Sequence, residues 1–142
     1  MSASAVLLAR AGTRLVGLPL EHLVEVIDPG AAIAIPVREP AFRGLASLRG
    51  RLVPLVHLGA LLDGGACPRA QSDAAVVISV GGRTICLEVE AVEQVTSGDV
   101  VPVPAGQALP WALGVVRSAD GLVPILDVAA VGSRLVEGGP GK

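Results

Sequence analysis

At 142 residues the chain is long enough for one ordinary domain that buries roughly two-thirds of the surface its unfolded form exposes, so it needs no disulfide or metal to fold. Its hydrophobic content of 51% is high, yet prolines, glycines and charges interrupt every apolar run before it reaches the ~18 residues of a membrane span. A formal charge of −2 from 11 basic and 13 acidic residues, with Phe42 and Trp111 as the only aromatics, offers neither the basic footprint nor the stacking groups of a nucleic-acid binder.

The stretch from Met1 to Arg10 has no basic segment ahead of its apolar residues and no small-residue cleavage site. It reads as a first strand and not as a signal peptide, which predicts a cytoplasmic protein. Runs rich in valine, isoleucine and leucine predict strands near 5–10, 14–19, 23–28, 31–35, 44–49 and 51–56, then near 75–80, 84–89, 91–96, 100–103, 113–117 and 122–126. Glycine or proline closes most of them, the punctuation of an all-β fold. Gly81-Gly82 and Asp120-Gly121 supply the positive-φ positions that tight hairpins need. Short apolar stretches, Leu58 to Leu62 and Val128 to Val131, follow the two Leu-Val-Pro strands and suit one or two helical turns, with Asp127 placed to N-cap the second. Residues 63–73 read as a linker and residues 132–142 as a flexible polar tail.

An internal repeat organises these elements. A shift of 69 positions aligns Arg14-Leu-Val-Gly-Leu-Pro-Leu-Glu-His-Leu-Val-Glu-Val26 with Arg83-Thr-Ile-Cys-Leu-Glu-Val-Glu-Ala-Val-Glu-Gln-Val95. A shift of 70 aligns Gly44-Leu45 with Gly114-Val115 and Leu52-Val-Pro-Leu-Val56 with Leu122-Val-Pro-Ile-Leu126. The first copy covers about 12–62 and the second about 81–131. A period this long in so few copies is no solenoid, and predicts one supersecondary unit used twice in two similar lobes that share a core. Many short strands at regular spacing favour small barrels, which remove exposed sheet edges.

The residues that carry chemistry are sparse. His22 and His57 are the first places to look for a base, but no Gly-x-Ser-x-Gly elbow, phosphate loop or dinucleotide fingerprint accompanies them. Each reads as a surface or strand-end residue. Cys67 and Cys86 lack the spacing of a zinc site and read as free thiols. Glu88 and Glu90, two apart on a strand, read as a solvated face. In Leu23-Val-Glu-Val26, alternation puts Leu23 and Glu25 on one face and Val24 and Val26 on the other, so that one face is core and the other a contact surface. Arg49 lies between strand-forming leucine and glycine and either reaches solvent or forks onto a carboxylate. Gly44 and Gly114, equivalent in the two copies, point to a close chain approach, a bulge or a turn.

Taken in order, Leu18-Pro-Leu-Glu-His-Leu-Val-Glu-Val26, then Pro36, then Pro40-Ala-Phe-Arg-Gly-Leu-Ala-Ser-Leu-Arg-Gly-Arg-Leu-Val-Pro54, the sequence resembles the CheW family of chemotaxis coupling proteins. The second half continues the resemblance through Leu87 to Val95 and Gly114 to Asp127, so that it covers about residues 5 to 131 as one domain. The resemblance implies an all-β fold of two small five-stranded barrels packed through a shared hydrophobic core, with short helical turns. It implies a non-catalytic scaffold without cofactor or metal. Its partners would be the cytoplasmic tip of methyl-accepting chemoreceptors and the regulatory domain of a CheA-type histidine kinase in a two-component system. Such a protein sits in the cytoplasm and is recruited to membrane receptor clusters. Position by position, the resemblance carries receptor binding to Leu23, Glu25, Gly44 and Arg49, and further to Val95 and Gly114. It also implies that Arg49 pairs with Glu25 to fix the groove wall.

Departures from the family pattern matter as well. His57 stands where the family has the aspartate that caps the following turn, a role Asp127 keeps in the second copy. After Val101-Pro-Val-Pro104 this chain has Ala105 and Gly106 where some relatives place charged and aromatic contacts for kinase ring assembly. Kinase-binding residues are therefore not assigned, and Ala105 and Gly106 mark a lost array contact. Two other readings stand beside the adaptor. One is a divergent paralogue that binds receptor but little or no kinase. The other is a small β-barrel enzyme or metal-binding protein that uses His57, His22 or Cys86.

Overall fold

Branched aliphatic residues, which pack well on a pleated surface, build ten strands among the described residues of the computed structural model, 3–107, 109–119 and 121–138. They run β1 (Ala3–Ala11), β2 (Arg14–Pro19), a 3-10 turn (Leu20–His22), β3 (Leu23–Ile27), β4 (Phe42–Leu48), β5 (Arg51–His57), α1 (Leu58–Asp63), β6 (Ala74–Val80), β7 (Arg83–Val89), β8 (Ala91–Asp99), β9 (Ala112–Ser118), β10 (Gly121–Leu126) and α2 (Val128–Gly138). Two five-stranded sheets result, ordered β8-β1-β2-β10-β9 in the first lobe and β3-β6-β7-β5-β4 in the second. Each sheet curls, and one isolated bridge joins its two ends: Val101 to Val115 in the first lobe, Ile33 to Leu45 in the second. The backbone hydrogen bonds of these bridges are 2.8 and 2.9 Å long.

The two lists of strands are the same list advanced by five, since β1 becomes β6 and β5 becomes β10. The repeat copies are nevertheless not the lobes. With β1 and β6, which precede the stretches 12–62 and 81–131, counted as the start of each copy, a copy gives its first two strands to one lobe and its last three to the other, so the copies are interlaced. The 3-10 turn is one crossing point, touching β1 of the first lobe and β6 of the second. Neither lobe can form from one copy alone.

Three apolar clusters follow from this arrangement. Val6, Leu8, Val116, Val123 and Ile125 fill the first lobe, and Ala46, Val53, Leu55, Ala75, Val77 and Cys86 fill the second. The largest cluster lies between them and draws on both lobes and both helices, with Leu18, Leu58, Ile78, Leu87, Trp111, Leu126 and Leu135 among its members. It is the shared core that the sequence reading expects.

Some expectations are corrected. The stretches 31–35 and 100–103 are not strands and hold one bridge each; in the second, Pro102 beside Val101 removes a ladder donor. Residues 132–138 belong to α2 and not to a flexible tail; the apolar residues Val128, Val131 and Leu135, spaced as one helix face, hold α2 to the shared core. Residues 139–142 lie outside the described residues. Gly81 and Gly82 do form a tight β6–β7 turn, with φ of 58° and 78°. Of the other predicted hairpin, Asp120 lies outside the described residues, while Gly121 has φ 105° at the start of β10.

Candidate functional site

The centre of the candidate site is a hairpin tip. Leu48 pairs with Arg51, which leaves a two-residue turn of Arg49 and Gly50 between β4 and β5. Both have positive φ, 51° and 80°, as the hairpin turns that match strand twist demand. Arg49 is the one non-glycine residue with positive φ among the described residues. Its guanidinium compensates by forking onto Glu25, with Nη2 donating to Oε1 at 2.8 Å and Nη1 donating to Oε2. The Arg49 side chain is 70% exposed while that of Glu25 is 24% exposed, so a bidentate pair stands on the surface over a half-buried carboxylate. Glu25 in turn raises the affinity of Arg49 for its proton.

Glu25 owes its position to a β-bulge. β3 pairs with β6 through Leu23–Ile78 and then Glu25–Val77, so β3 carries one extra residue there. A bulge re-aims the side chains that follow it. Leu23 leans on the shared core, whereas Ile27 packs into the second lobe's own core. Leu23 and Glu25 therefore do not share a face as simple alternation predicts. Val24 and Val26 are 53% and 46% exposed. The first lobe repeats the device on β8, where a register shift lies between Val95 and Val92, and Val95 is 54% exposed.

Gly44 and Gly114 are buried on β4 and β9 and do not reach the surface. A Cβ built on Gly44 would stand 2.4 Å from the Ile33 carbonyl oxygen, and one on Gly114 2.4 Å from that of Val101. These are the carbonyls of the two closing bridges. Both glycines thus permit barrel closure, the close approach that their equivalence in the repeat suggests. Of the six residues, Leu23, Glu25, Gly44 and Arg49 lie in the second lobe and Val95 and Gly114 in the first. Ala105 and Gly106 sit exposed in the loop between β8 and β9, with Gly106 at φ 90°.

The polar residues behind this surface depart most from the sequence reading. Glu88 is not on a solvated face; it is fully buried. Arg43 forks onto it with two bonds of 2.9 Å, and the Ser72 amide donates to it at 2.8 Å. Arg43 also donates to the carbonyls of Pro68 and Ala70, so the segment 63–73 is strapped to the second lobe. The repeat holds a signal of this: its shifts place Leu113 and Pro19 opposite Arg43 and Glu88, a charge pair in one lobe against apolar residues in the other.

Glu90 accepts from the Gly12 amide at 2.6 Å and meets His57 Nε2 at 2.6 Å. His57 is 2% exposed and is no surface residue. Its Nδ1 accepts from the Ala60 amide at 2.9 Å, so it N-caps α1 as Asp127 caps α2 through the Ala130 amide at 3.1 Å. Nδ1 can accept only when bare, which puts the ring proton on Nε2, facing Glu90. An imidazole does here what a carboxylate does in the other copy.

His57, His22 and Cys86 do not form a metal site. His22 lies on the 3-10 turn beside Glu21, Cys86 is inside the second lobe's core, and no group of three metal-binding side chains occurs among the described residues. Cys67 and Cys86 are free thiols. Burial pushes Cys86 up to about 11 with help from the Glu25 charge, and burial also pushes Cys67 upward, so neither is an activated nucleophile. Among the described residues no helix is long and apolar enough to cross a membrane.

None of the curated proteins compared with the chain matches it. Among solved structures it is similar to the scaffolding protein TtCheW from Thermoanaerobacter tengcongensis, with a TM-score of 0.79, 20% sequence identity and 92% of each chain covered. That likeness shows the fold. The model of the CheW-like domain matches residues 5–135, nearly the whole chain, and with its two curled five-stranded lobes this protein belongs to the CheW-like domain family of non-catalytic chemotaxis scaffolds.

Proposed function

We propose that the chain is an adaptor that couples the cytoplasmic tip of methyl-accepting chemoreceptors to the regulatory domain of a CheA-type histidine kinase. The observation that carries this reading is the family match over residues 5–135. The receptor-facing groove consists of Leu23, Glu25, Arg49 and Val95, held in shape by Gly44 and Gly114. The receptor tip of this pathway is a helical hairpin, so an apolar helix face lies against exposed Val24, Val26 and Val95. The Arg49–Glu25 pair fixes the groove wall. The protein works in the cytoplasm and gathers at membrane receptor clusters. Coupling requires that it bind the two signalling states of its partners differently.

Calorimetric titration of the chain, separately, with a receptor-tip fragment and with a kinase regulatory domain from the same organism tests this reading. Two saturable interactions are expected, and Arg49→Ala weakens receptor binding while the urea midpoint hardly moves. Binding to neither partner overturns the proposal, and equal loss of affinity and stability in Arg49→Ala overturns the groove-wall role. One observation favours a second reading, a paralogue that binds receptor but little kinase: the exposed loop at Ala105 and Gly106 offers no charged or aromatic side chain. Receptor binding alone selects it.

A further inference from the structure

The internal repeat supplies a control for reading a cleft on the second lobe. β5 and β7 pair in parallel only over Leu55–His57 and Cys86–Glu88, so the first residues of both strands stand apart. A cleft of about 340 Å3 opens between them, floored by Phe42, Val56, Ile85 and Leu135 and flanked by Arg51 and Arg83. That size lies within the range of built ligand sites.

The first lobe has the same seam between β2 and β10, which pair only at Gly17 and Ile125. There Arg14, the residue that the 69-position shift superposes on Arg83, is satisfied from within the chain. Its guanidinium lies over Trp111, 5.3 Å from the ring centroid, and pairs with Asp63 at 3.2 Å. The 70-position shift places Ala41 in the second lobe where the first has Trp111, and Ser133 where the first has Asp63. Neither of these positions brings a ring or a carboxylate to the second seam; Phe42 and Glu39 line the cleft instead, and Glu39 Oε2 accepts from the Ala41 amide at 3.1 Å and pairs with neither arginine. Arg83 and Arg51 make no ion pair, side-chain hydrogen bond or ring contact with any described residue.

We propose that this cleft docks a segment of a partner protein that presents a carboxylate beside a large apolar or aromatic side chain, the two groups that Asp63 and Trp111 supply in the first lobe. The carboxylate meets the Arg51–Arg83 flank, and the apolar group lies on Phe42, Ile85 and Leu135. An extended segment also finds backbone partners, because the facing edges of β5 and β7 are not paired with each other there. This reading stands on the comparison of the two seams and holds whether or not receptor and kinase are the chain's other partners.

The test uses the isotope-labelled full chain. The probe is the tetrapeptide Gly-Asp-Trp-Gly, acetylated and amidated, with its Gly-Asn-Trp-Gly counterpart as control. Saturable amide shifts at Arg83, Thr84 and Ile85 are expected. Binding is about tenfold weaker for the asparagine peptide and for Arg83→Gln, the loss of one charge-assisted contact. Arg69→Gln, which removes an equal charge away from the cleft, leaves it unchanged. No saturable shift, or shifts that survive both Arg83→Gln and Arg51→Gln, overturns the proposal.

Discussion

The two lobes share strand order, the parallel pair of their central strands, the closing bridge, the buried glycine beside it and a capped helix, yet they spend polarity differently. In the first lobe the positions equivalent to Arg43, Glu88 and Cys86 are Leu113, Pro19 and Gly17. In the second, those positions hold a buried ion pair that straps the segment 63–73 and a thiol in the core. The Arg49–Glu25 pair is likewise confined to the second lobe, since Ala119 and Gln94 stand opposite its members. The same backbone plan thus tolerates an apolar version and a version full of hydrogen-bonded charge, because every buried polar side-chain atom described has found a partner. Two seams of one geometry end up with one arginine covered and one open.

The comparison breaks first at Glu88. Removing one partner of a buried ion pair leaves the other charge uncompensated, so Glu88→Gln is expected to cost about 3–5 kcal/mol in urea unfolding, whereas Leu113→Ala in the first lobe, at a site 58% exposed, costs little. Next come the closing glycines. Gly44→Ala and Gly114→Ala each force a carbonyl to move, an overpacking cost of about 1–3 kcal/mol, and Gly44 is the worse site because its φ of 152° is also unfavourable for alanine. Equal losses would show that steric closure alone decides.

The two helix caps give a smaller, paired test. His57→Ala and Asp127→Ala each remove an N-cap worth about 1 kcal/mol, and His57→Ala also removes one of Glu90's two partners and leaves the Gly12 amide. His57→Asn, which keeps an acceptor for the Ala60 amide, recovers part of the loss; failure to recover would mean that packing and not the cap is at stake. Because the copies interlace, hydrogen exchange at β1–β2 and at β6–β7 should report one opening energy in all these variants.

Alkaline pH sharpens the contrast least but most selectively. A thiol raised from 9.0 to about 11 in the folded state contributes stability that is present below the unfolded value and is lost as pH rises through that interval. Stability is therefore expected to fall between about pH 9 and 11, and Cys86→Ala, which removes the titrating group and stays apolar, should flatten that limb. A thiol reagent should leave native Cys86 untouched at neutral pH.

The sequence by itself determined the all-β class, the two-lobed repeat, ten of the strands and the capping site at Asp127. These depend on local propensity and period, which short runs of valine, leucine, glycine and proline carry without reference to distant residues. The resemblance of its ordered motifs to the CheW family singled out Glu25 and Arg49, and the pair they form was legible on that basis. Only the tertiary structure decided that the copies trade strands, because antiparallel neighbours chosen within one copy or across two look alike in sequence. It also decided that Glu88 and His57 are buried and satisfied, that Gly44 and Gly114 make room for carbonyls 2.4 Å from a would-be Cβ, and that Leu23 and Glu25 part company at a bulge. A charge on a strand reads as solvated until the fold brings its partner from 45 residues away, and a one-residue register slip leaves no mark on alternation until the neighbouring strand is in place.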